Sequence, residues 1–135
     1  MKKYQGYISS REVNGGRTPQ HIQNIVIRDY CLRNDYKYLL SATEYAMKDS
    51  YLILEHLTNN LFEIDGIVAY SLFQMPANHK HRIAIFKEII KKEKSIHFAC
   101  ERLAIHSEHD IERIEIIILL EKILPFCQKN FENYG

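Results

Sequence analysis

The feature that most constrains the fold of this chain is the alternation of short apolar segments with stretches of helical periodicity. The apolar segments are residues 4–8, 38–40, 66–70 and 96–100, and the helical patterns between them are residues 19–33, 50–61 and 78–94. Strands and helices that alternate in this way form a parallel sheet with right-handed crossovers and helices on both faces. We therefore predict an α/β three-layer sandwich around a four-stranded parallel sheet.

Length and composition limit the class of protein further. The chain has 135 residues, 46% of them hydrophobic and 26% charged, as in a soluble globular protein with one core. Lysine and arginine number 18 against 17 acidic residues, so the net charge is only +1. Because nucleic-acid binding draws on clustered cations, it is not expected here. We predict a single domain, residues 1–135.

The sequence also indicates a cellular compartment. The longest apolar run, residues 116–120, is too short to cross a membrane, and the N-terminus has no apolar segment typical of a signal peptide. Cys31, Cys100 and Cys127 are odd in number and widely spaced, which is typical of reduced thiols. We expect a cytoplasmic protein that has no membrane partner.

Two helical segments carry specific predictions about their buried faces. The first helix is predicted to bury Ile22, Ile25, Val26 and Tyr30. In the last one, residues 110–130, we expect Ile111, Ile114 and Ile118 to face the core and Ile116, Leu119 and Ile123 to face outward. A helix that is apolar on two sides can bury its second face against a partner, so we favour a homodimer. Pro125 is expected to end or kink this helix.

The segment 6–20, GYISSREVNGGRTPQ, is the strongest candidate for a functional loop. It runs into the first helix, for which Thr18 and Pro19 are predicted to be the N-cap and the first helical residue. Ligands of open α/β sheets bind at the carboxyl ends of the strands, and exposed helix N–H groups favour anions. A predicted anion site is therefore surrounded by Ser9, Ser10, Arg11, Asn14 and Arg17, with His21 in the first helical turn.

The loops after the other strands should converge on the same edge of the sheet. They contribute polar residues of several kinds, namely Thr43, Glu44, Tyr45, Ser71, Gln74, Glu101 and Arg102. In our hypothesis the arginines of the first loop hold a phosphate, and Ser10 is the candidate nucleophile. Glu44 or Glu101 moves a proton if burial raises its pKa, and the remaining residues bind the ligand.

Each of these residues also has a structural interpretation. Hydroxyls and amides at such positions often cap helices and satisfy loop backbone, and the two glutamates can be solvated carboxylates. Arg11 and Arg17 can form ordinary surface salt bridges with Glu12 or Asp49. The sequence leaves these alternatives open.

Several familiar site types have no signature in the sequence. It contains no G-x-S-x-G elbow, no G-x-G-x-x-G and no G-x-x-x-x-G-K-[ST]. The histidines of HKH (His79 and His81) and HSEH (His106 and His109) do not have a zinc spacing. We therefore expect no metal and no cofactor.

Several sequence segments, taken in chain order, resemble the catalytic domain of serine recombinases of the resolvase–invertase group. They are GYISS, a helix containing Gln23, DGIVAYSLF, SIHFACERLAI and a long last helix. The resemblance implies a parallel core of strand order 2-1-3-4 and a last helix that dimerises. The family motif Y-x-R-x-S is broken, since Tyr7 is followed by Ile-Ser-Ser-Arg, and Gln74 and Ala77 replace the paired arginines of the family. Without the cations that stabilise the attacked phosphate, strand exchange is not expected.

A second resemblance is to the sporadic carbohydrate cluster proteins of bacteria. The strings GYISSREVNGGRTPQHIQN, IRDYC, LLSATEYAM and DGIVAYSLFQMP are similar to theirs. The resemblance implies a locus that makes surface polysaccharide such as O-antigen or capsule, and it assigns no reaction. We therefore expect a protein that binds or modifies a phosphorylated or nucleotide-linked sugar. The alternatives are a non-catalytic partner subunit of another enzyme of the locus and, third, a degenerate recombinase-like DNA-binding protein.

Overall fold

The computed structural model describes residues 1–12, 16–45, 47 and 50–134, with side chains as far as Leu124. The strands are β1 (Lys3–Ser9), β2 (Lys37–Glu44), β3 (Gly66–Ala69), β4 (Ser95–Phe98) and β5 (Leu103–Ile105). The helices are α1 (Gln20–Arg33), α2 (Leu52–Asn59), α3 (His79–Lys91) and α4 (Glu108–Tyr134), with a short 3₁₀ helix at Leu72–Gln74. The order of elements is that of an α/β protein, as the alternating pattern predicts.

The sheet has the strand order β2-β1-β3-β4-β5. The first four strands are parallel, so the predicted parallel core of order 2-1-3-4 is confirmed. The fifth strand was not predicted: β5 turns back and pairs antiparallel with β4, with Phe98 opposite Leu103. Arg102, in the turn between them, has a φ of 54°, a left-handed conformation that lets the chain reverse within a few residues.

Strand β2 forms one edge of the sheet and extends further than predicted. It continues past Leu40 to Glu44, so Thr43 and Glu44 lie in the strand and not in a loop. Its pairing with β1 contains an irregularity, because Gln5 is opposite Leu39 whereas Tyr7 is opposite Ala42. The additional residue is a bulge, a common device that discourages an edge strand from pairing with another chain.

The sheet separates two apolar layers. On one face Tyr7, Ile67 and Phe98 pack with residues of α2, α3 and α4. On the other face Tyr4, Ile8 and Val68 pack with residues of α1. Successive residues of a strand point to opposite faces, which is why Tyr7 and Ile8 enter different layers.

The predicted buried stripe of α1 is wrong in part. Ile22 and Ile25 are 38% and 58% exposed, and Val26 and Tyr30 pack only at the margin of the core. The buried residues of this helix are Gln23, Ile27 and Cys31. Apolar periodicity alone predicts an exposed glutamine, whereas the internal hydrogen bonds of Gln23 make its burial favourable.

The two faces of α4 agree with the prediction. Ile111, Ile114 and Ile118 are at most 7% exposed, whereas Ile116, Leu119, Leu120, Ile123 and Leu124 are 42% to 57% exposed. The helix does not end at Pro125 but continues to Tyr134. Within the described residues, no helix combines the length and the apolar character that crossing a bilayer requires.

Candidate active site at the carboxyl edge of the sheet

The loop after β1 is held in place by a buried glutamine of α1. The Gln23 side chain accepts a hydrogen bond from the Ser9 backbone N–H at 3.1 Å and donates to the Ser9 carbonyl at 2.7 Å. It also donates to the Thr18 carbonyl at 2.8 Å. Both ends of the loop are therefore tied to the same side chain. Ser10 is half-buried at this edge, and its N–H donates to the Glu44 carbonyl at 3.1 Å.

Gln74 continues this brace to the loop after β3. Its side-chain amide donates to Gln23 Oε1 at 2.8 Å, and its own carbonyl oxygen accepts the Ser71 N–H at 3.4 Å. Only 2% of Gln74 is exposed. Gln74 was predicted to bind a ligand, and the structure places it as a buried support of two loops.

Glu44 caps the N-terminus of α2. Its carboxylate accepts hydrogen bonds from Tyr7 Oη at 3.0 Å and from the N–H groups of Ile53 at 3.1 Å and Leu54 at 3.2 Å. The residue is 3% exposed. Burial, together with this neighbouring carboxylate, raises the pKa of Tyr7 well above its ordinary value, so Tyr7 stays protonated as a donor. The oxygens that would act as a general base are thus used to fix α2.

Glu101 joins the ends of β3 and β4 in a similar way. Its carboxylate accepts from Ser71 Oγ at 2.9 Å and from the Leu72 N–H at 2.6 Å. Ser71 Oγ in turn accepts from the Phe73 N–H at 3.2 Å, which starts the 3₁₀ helix. Since Glu101 is only partly buried, its carboxylate keeps contact with the solvent at this edge.

Arg11 is the cation that the structure holds most firmly at this edge. Its guanidinium lies over the Tyr51 ring, 3.8 Å from the centroid, and Nη2 donates to the Met47 carbonyl at 3.0 Å. Nη1 is covered from solvent and finds no hydrogen-bond partner among the described residues. A fixed guanidinium with an unused donor is suited to an oxyanion, since its fork matches carboxylate and phosphate oxygens.

Arg17, in the same loop, and His21, in the first turn of α1, are both exposed. Arg17 forms a 3.8 Å ion pair with Glu12 in which both side chains are about two-thirds exposed, so the pair contributes little to stability. The cap of α1 is Pro19, one residue later than predicted, and no described side chain caps this end. The Ile22 N–H already donates to the Pro19 carbonyl at 3.1 Å, which leaves the N–H groups of Gln20 and His21 as the helix donors for an anion.

The other residues predicted for the site lie near the surface or outside the described part of the chain. Thr43 is half-buried in β2, while Tyr45 and Arg102 are exposed. Asn14 lies outside the described residues. Two contacts were missed by the sequence argument: Tyr51 stacks on Arg11, and Tyr70 Oη donates to Thr18 Oγ1 at 3.4 Å. No spacing in the sequence signals either contact, because both join distant segments.

Two of the histidines, His79 and His81, pair with carboxylates away from this edge. His79 Nδ1 lies 2.7 Å from Glu115, and His81 Nε2 lies 2.7 Å from Glu55. Across the described part of the chain, no three His, Cys, Asp or Glu side chains are arranged to hold a metal ion.

Comparison with known proteins gives matches in structure but not in sequence. The crystal structure of the N-terminal catalytic domain of TP901-1 integrase is similar with a TM-score of 0.59 at 13% identity, over 91% of this chain and 98% of that chain. A resolvase family site-specific recombinase from Streptococcus pneumoniae gives 0.58 at 10% identity, over 97% and 96% of the two chains. No protein-family model and no curated protein matches the sequence. At such low identity the similarity establishes a resolvase-like fold and no activity.

Proposed function

We propose that this resolvase-like protein binds a phosphorylated or nucleotide-linked sugar at the carboxyl edge of its sheet, in bacterial surface-polysaccharide biosynthesis. The observation that carries the binding part is the Arg11 guanidinium, stacked on Tyr51 with a donor that no described residue satisfies. The sugar and the pathway come from the resemblance of the sequence strings to the sporadic carbohydrate cluster proteins.

The local environment favours an anion over other ligands. Arg11 is fixed before a ligand arrives, so little side-chain entropy is lost when it pairs with a phosphate. The N-terminus of α1 adds a partial positive charge close in sequence to the same loop. Ser10 provides a hydroxyl beside Arg11, and Glu101 is the partly solvated carboxylate of the edge. In this proposal Arg11 holds the phosphate, Arg17 assists from the exposed side, and the hydroxyls contact the sugar.

The resolvase-like fold matches the recombinase-like alternative, whereas the side chains at the carboxyl edge favour it less. Gln74, which replaces a family arginine, is buried and bonded to Gln23, so it offers no cation to a DNA phosphate. This alternative predicts duplex binding that weakens steeply with salt. A gel shift at low salt tests this alternative. The absence of a retarded band would exclude it.

Calorimetric titration of the purified protein tests the proposal. The panel contains nucleotide sugars, sugar phosphates and inorganic phosphate, each up to about 5 mM, where a ligand with a Kd near 1 mM is still detected. We expect at least one sugar phosphate or nucleotide sugar to bind and Arg11→Gln to weaken it about 10- to 100-fold, the effect of losing a charge-assisted hydrogen bond.

The matched control is Arg33→Gln. Arg33 is an exposed arginine at the other end of α1, paired with Asp29 at 2.8 Å, and its loss should leave binding unchanged. No binding across the panel, or equal binding by the Arg11→Gln variant, would contradict the proposal.

The exposed apolar face of α4 supports a second candidate function. Ile116, Leu119, Leu120, Ile123 and Leu124 lie on the solvent side of one helix. Apolar side chains grouped in this way mark an association surface. We propose that two copies pair through α4, because a two-fold arrangement lets the patch cover itself. A non-catalytic subunit that uses the face to hold another enzyme of the locus is the alternative.

Two measurements separate these possibilities. Light scattering at about 50 µM gives a dimer mass if copies pair with a Kd in the low micromolar range or tighter. Purification from the native host gives a stoichiometric second enzyme if the face holds a different partner. A clean monomer that co-purifies with nothing would contradict both.

A further inference from the structure

The amino-terminal edge of the sheet, opposite the site described above, contains a polar cavity of about 390 Å³. It lies where β1 and β4 begin. Residues at the starts of these strands, in the last turn of α3 and in the loop after α3 line it. Ile90 is an apolar part of the wall, whereas the other lining groups are polar or charged. No part of the proposed sugar site lies there.

The charged groups of this cavity are balanced in sign. Lys2 and Lys94 provide two ammonium groups, and Asp65 and Glu93 provide two carboxylates. Within the described residues, none of these four groups takes part in an ion pair. One oxygen of Asp65 accepts the Lys3 backbone N–H at 2.8 Å, which leaves the second oxygen for another donor. Residues of both signs therefore line the cavity, and none of these four forms an ion pair with another described residue.

Hydroxyl groups in the cavity wall are fixed from behind by a buried hydrogen-bonded chain. Tyr4 Oη lies 3.2 Å from Ser95 Oγ, and Ser95 Oγ lies 3.1 Å from His97 Nε2. His97 Nδ1 is in turn 2.7 Å from Tyr30 Oη. Burial, with the nearby His106 and Lys2, lowers the pKa of His97 to about 4, so the ring is neutral at pH 7. A neutral imidazole with both nitrogens engaged fixes the Ser95 hydroxyl for a ligand.

We propose that this cavity, the amino-edge site, binds a zwitterion of the free α-amino acid type. A purely anionic ligand would meet two carboxylates, and a purely cationic ligand would meet two ammonium groups. A ligand that carries one charge of each sign pairs with both sets at once. Its carboxylate accepts from Lys94 and Lys2 and from the Ser95 hydroxyl, while its ammonium donates to Asp65 and Glu93. The volume leaves room for a side chain beside Ile90.

The test is nuclear magnetic resonance titration of the ¹⁵N-labelled protein with free amino acids, each added separately to about 20 mM. At least one should shift the backbone signals of Tyr4, Ser95 and neighbouring residues with saturation. The N-acetyl derivative and the α-amide of that amino acid each lack one of the two charges. If the protein contacts both charges, each derivative should bind at least tenfold more weakly than the free amino acid.

Variants of the cavity separate the two charge sets. Lys94→Gln and Glu93→Gln should each weaken binding several-fold, and the exposed Lys91→Gln in the last turn of α3 is the matched control. Glu93→Gln is used in place of a change at Asp65, because Asp65 also anchors the backbone of β1.

Each of the following results would overturn the proposal: no saturable shift by any amino acid, equal binding of the N-acetyl derivative or the α-amide, or unchanged binding by both variants. Shifts confined to Ser10 and Arg11 would assign the ligand to the carboxyl edge and would also overturn it. Failure here leaves the sugar proposal untouched, since the titrations use different probes and report on opposite edges.

Discussion

His97 allows a direct test of the free energy that it costs to place a charged imidazole in the interior of this fold. The ring is 2% exposed in the middle of β4, with Tyr30 and Ser95 bonded to its two nitrogens. Burial lowers the pKa of His97 from 6.5 to about 4 in the folded protein. In the unfolded chain the same ring takes up a proton as the pH falls below 6.5, so the unfolded state binds more protons in this window.

The sign and size of the effect follow from this difference. Stability contributed by neutral His97 is complete above about pH 7 and falls as the pH drops, until both states are protonated below about pH 4. The folded and unfolded pKa values of His97 differ by more than two, which corresponds to roughly 3 kcal/mol in total. Between pH 7.5 and pH 5 the linkage relation gives a loss of about 2 kcal/mol from this residue alone.

Urea denaturation at these two pH values measures the loss, and His97→Gln isolates it. Glutamine keeps one donor and one acceptor but does not titrate, so the variant should lose about 2 kcal/mol less between pH 7.5 and pH 5. Ring signals of the unmodified protein give the pKa of His97 independently, even if the variant folds poorly. An imidazole that titrates between pH 6 and pH 7, or parallel pH profiles of the two proteins, would refute the reasoning.

Four further substitutions test other contacts. Glu44→Gln places an amide N–H₂ against the N–H donors at the N-terminus of α2. The free energy of unfolding from urea denaturation should therefore fall by about 2 kcal/mol. A decrease of less than about 0.5 kcal/mol would contradict the capping role. Although burial opposes ionisation of Glu115, its hydrogen bonds to Arg82 lower its pKa, so stability from the pair is present above the ordinary glutamate range and is lost as the pH falls below it. Glu115→Gln should therefore lower the free energy of unfolding by about 3 kcal/mol at pH 7 and make it depend less on pH below the ordinary glutamate range. An unchanged pH dependence in that range would contradict this. Ile114→Asp should unfold the protein and Ile116→Asp should leave it folded with a lower mass in light scattering, since the two isoleucines are 0% and 57% exposed; similar melting temperatures would contradict the assignment of faces.

Much of the fold could be predicted from apolar pattern because most strands are buried on both faces. β3 and β4 consist of four buried residues each, and such runs are visible in a sequence. The second half of β2 is not visible in this way, because an edge strand is only partly covered and tolerates polar residues such as Ser41 and Thr43. β5 is three residues long and depends on the turn at Arg102, which no periodicity describes.

The candidate site could be predicted in position but not in detail. Parallel strands end at one edge, so the loops after β1, β3 and β4 had to meet there, and the Gln23–Gln74 and Ser71–Glu101 hydrogen bonds show that they do. Whether a carboxylate is free or already used depends on which N–H groups approach it in three dimensions. Glu44 looks like a catalytic base in the sequence because its partners, including Tyr7, are 9 or more residues away.

Gln74 and Ala77 are the two positions at which the resemblance to serine recombinases implies arginines, and substituting them gives a final test of the carboxyl edge. Gln74 is 2% exposed and bonded to Gln23, whereas Ala77 is exposed. An arginine at position 74 would bury an unpaired guanidinium and break the amide brace, so Gln74→Arg should cost about 3 kcal/mol or more in urea denaturation. Ala77→Arg adds the same side chain on the surface and should change stability by less than about 0.5 kcal/mol. If Gln74→Arg were as stable as the unmodified protein, its guanidinium would have to reach solvent at the carboxyl edge. The hydrogen bond between Gln23 and Gln74 would then not be needed to hold the two loops together.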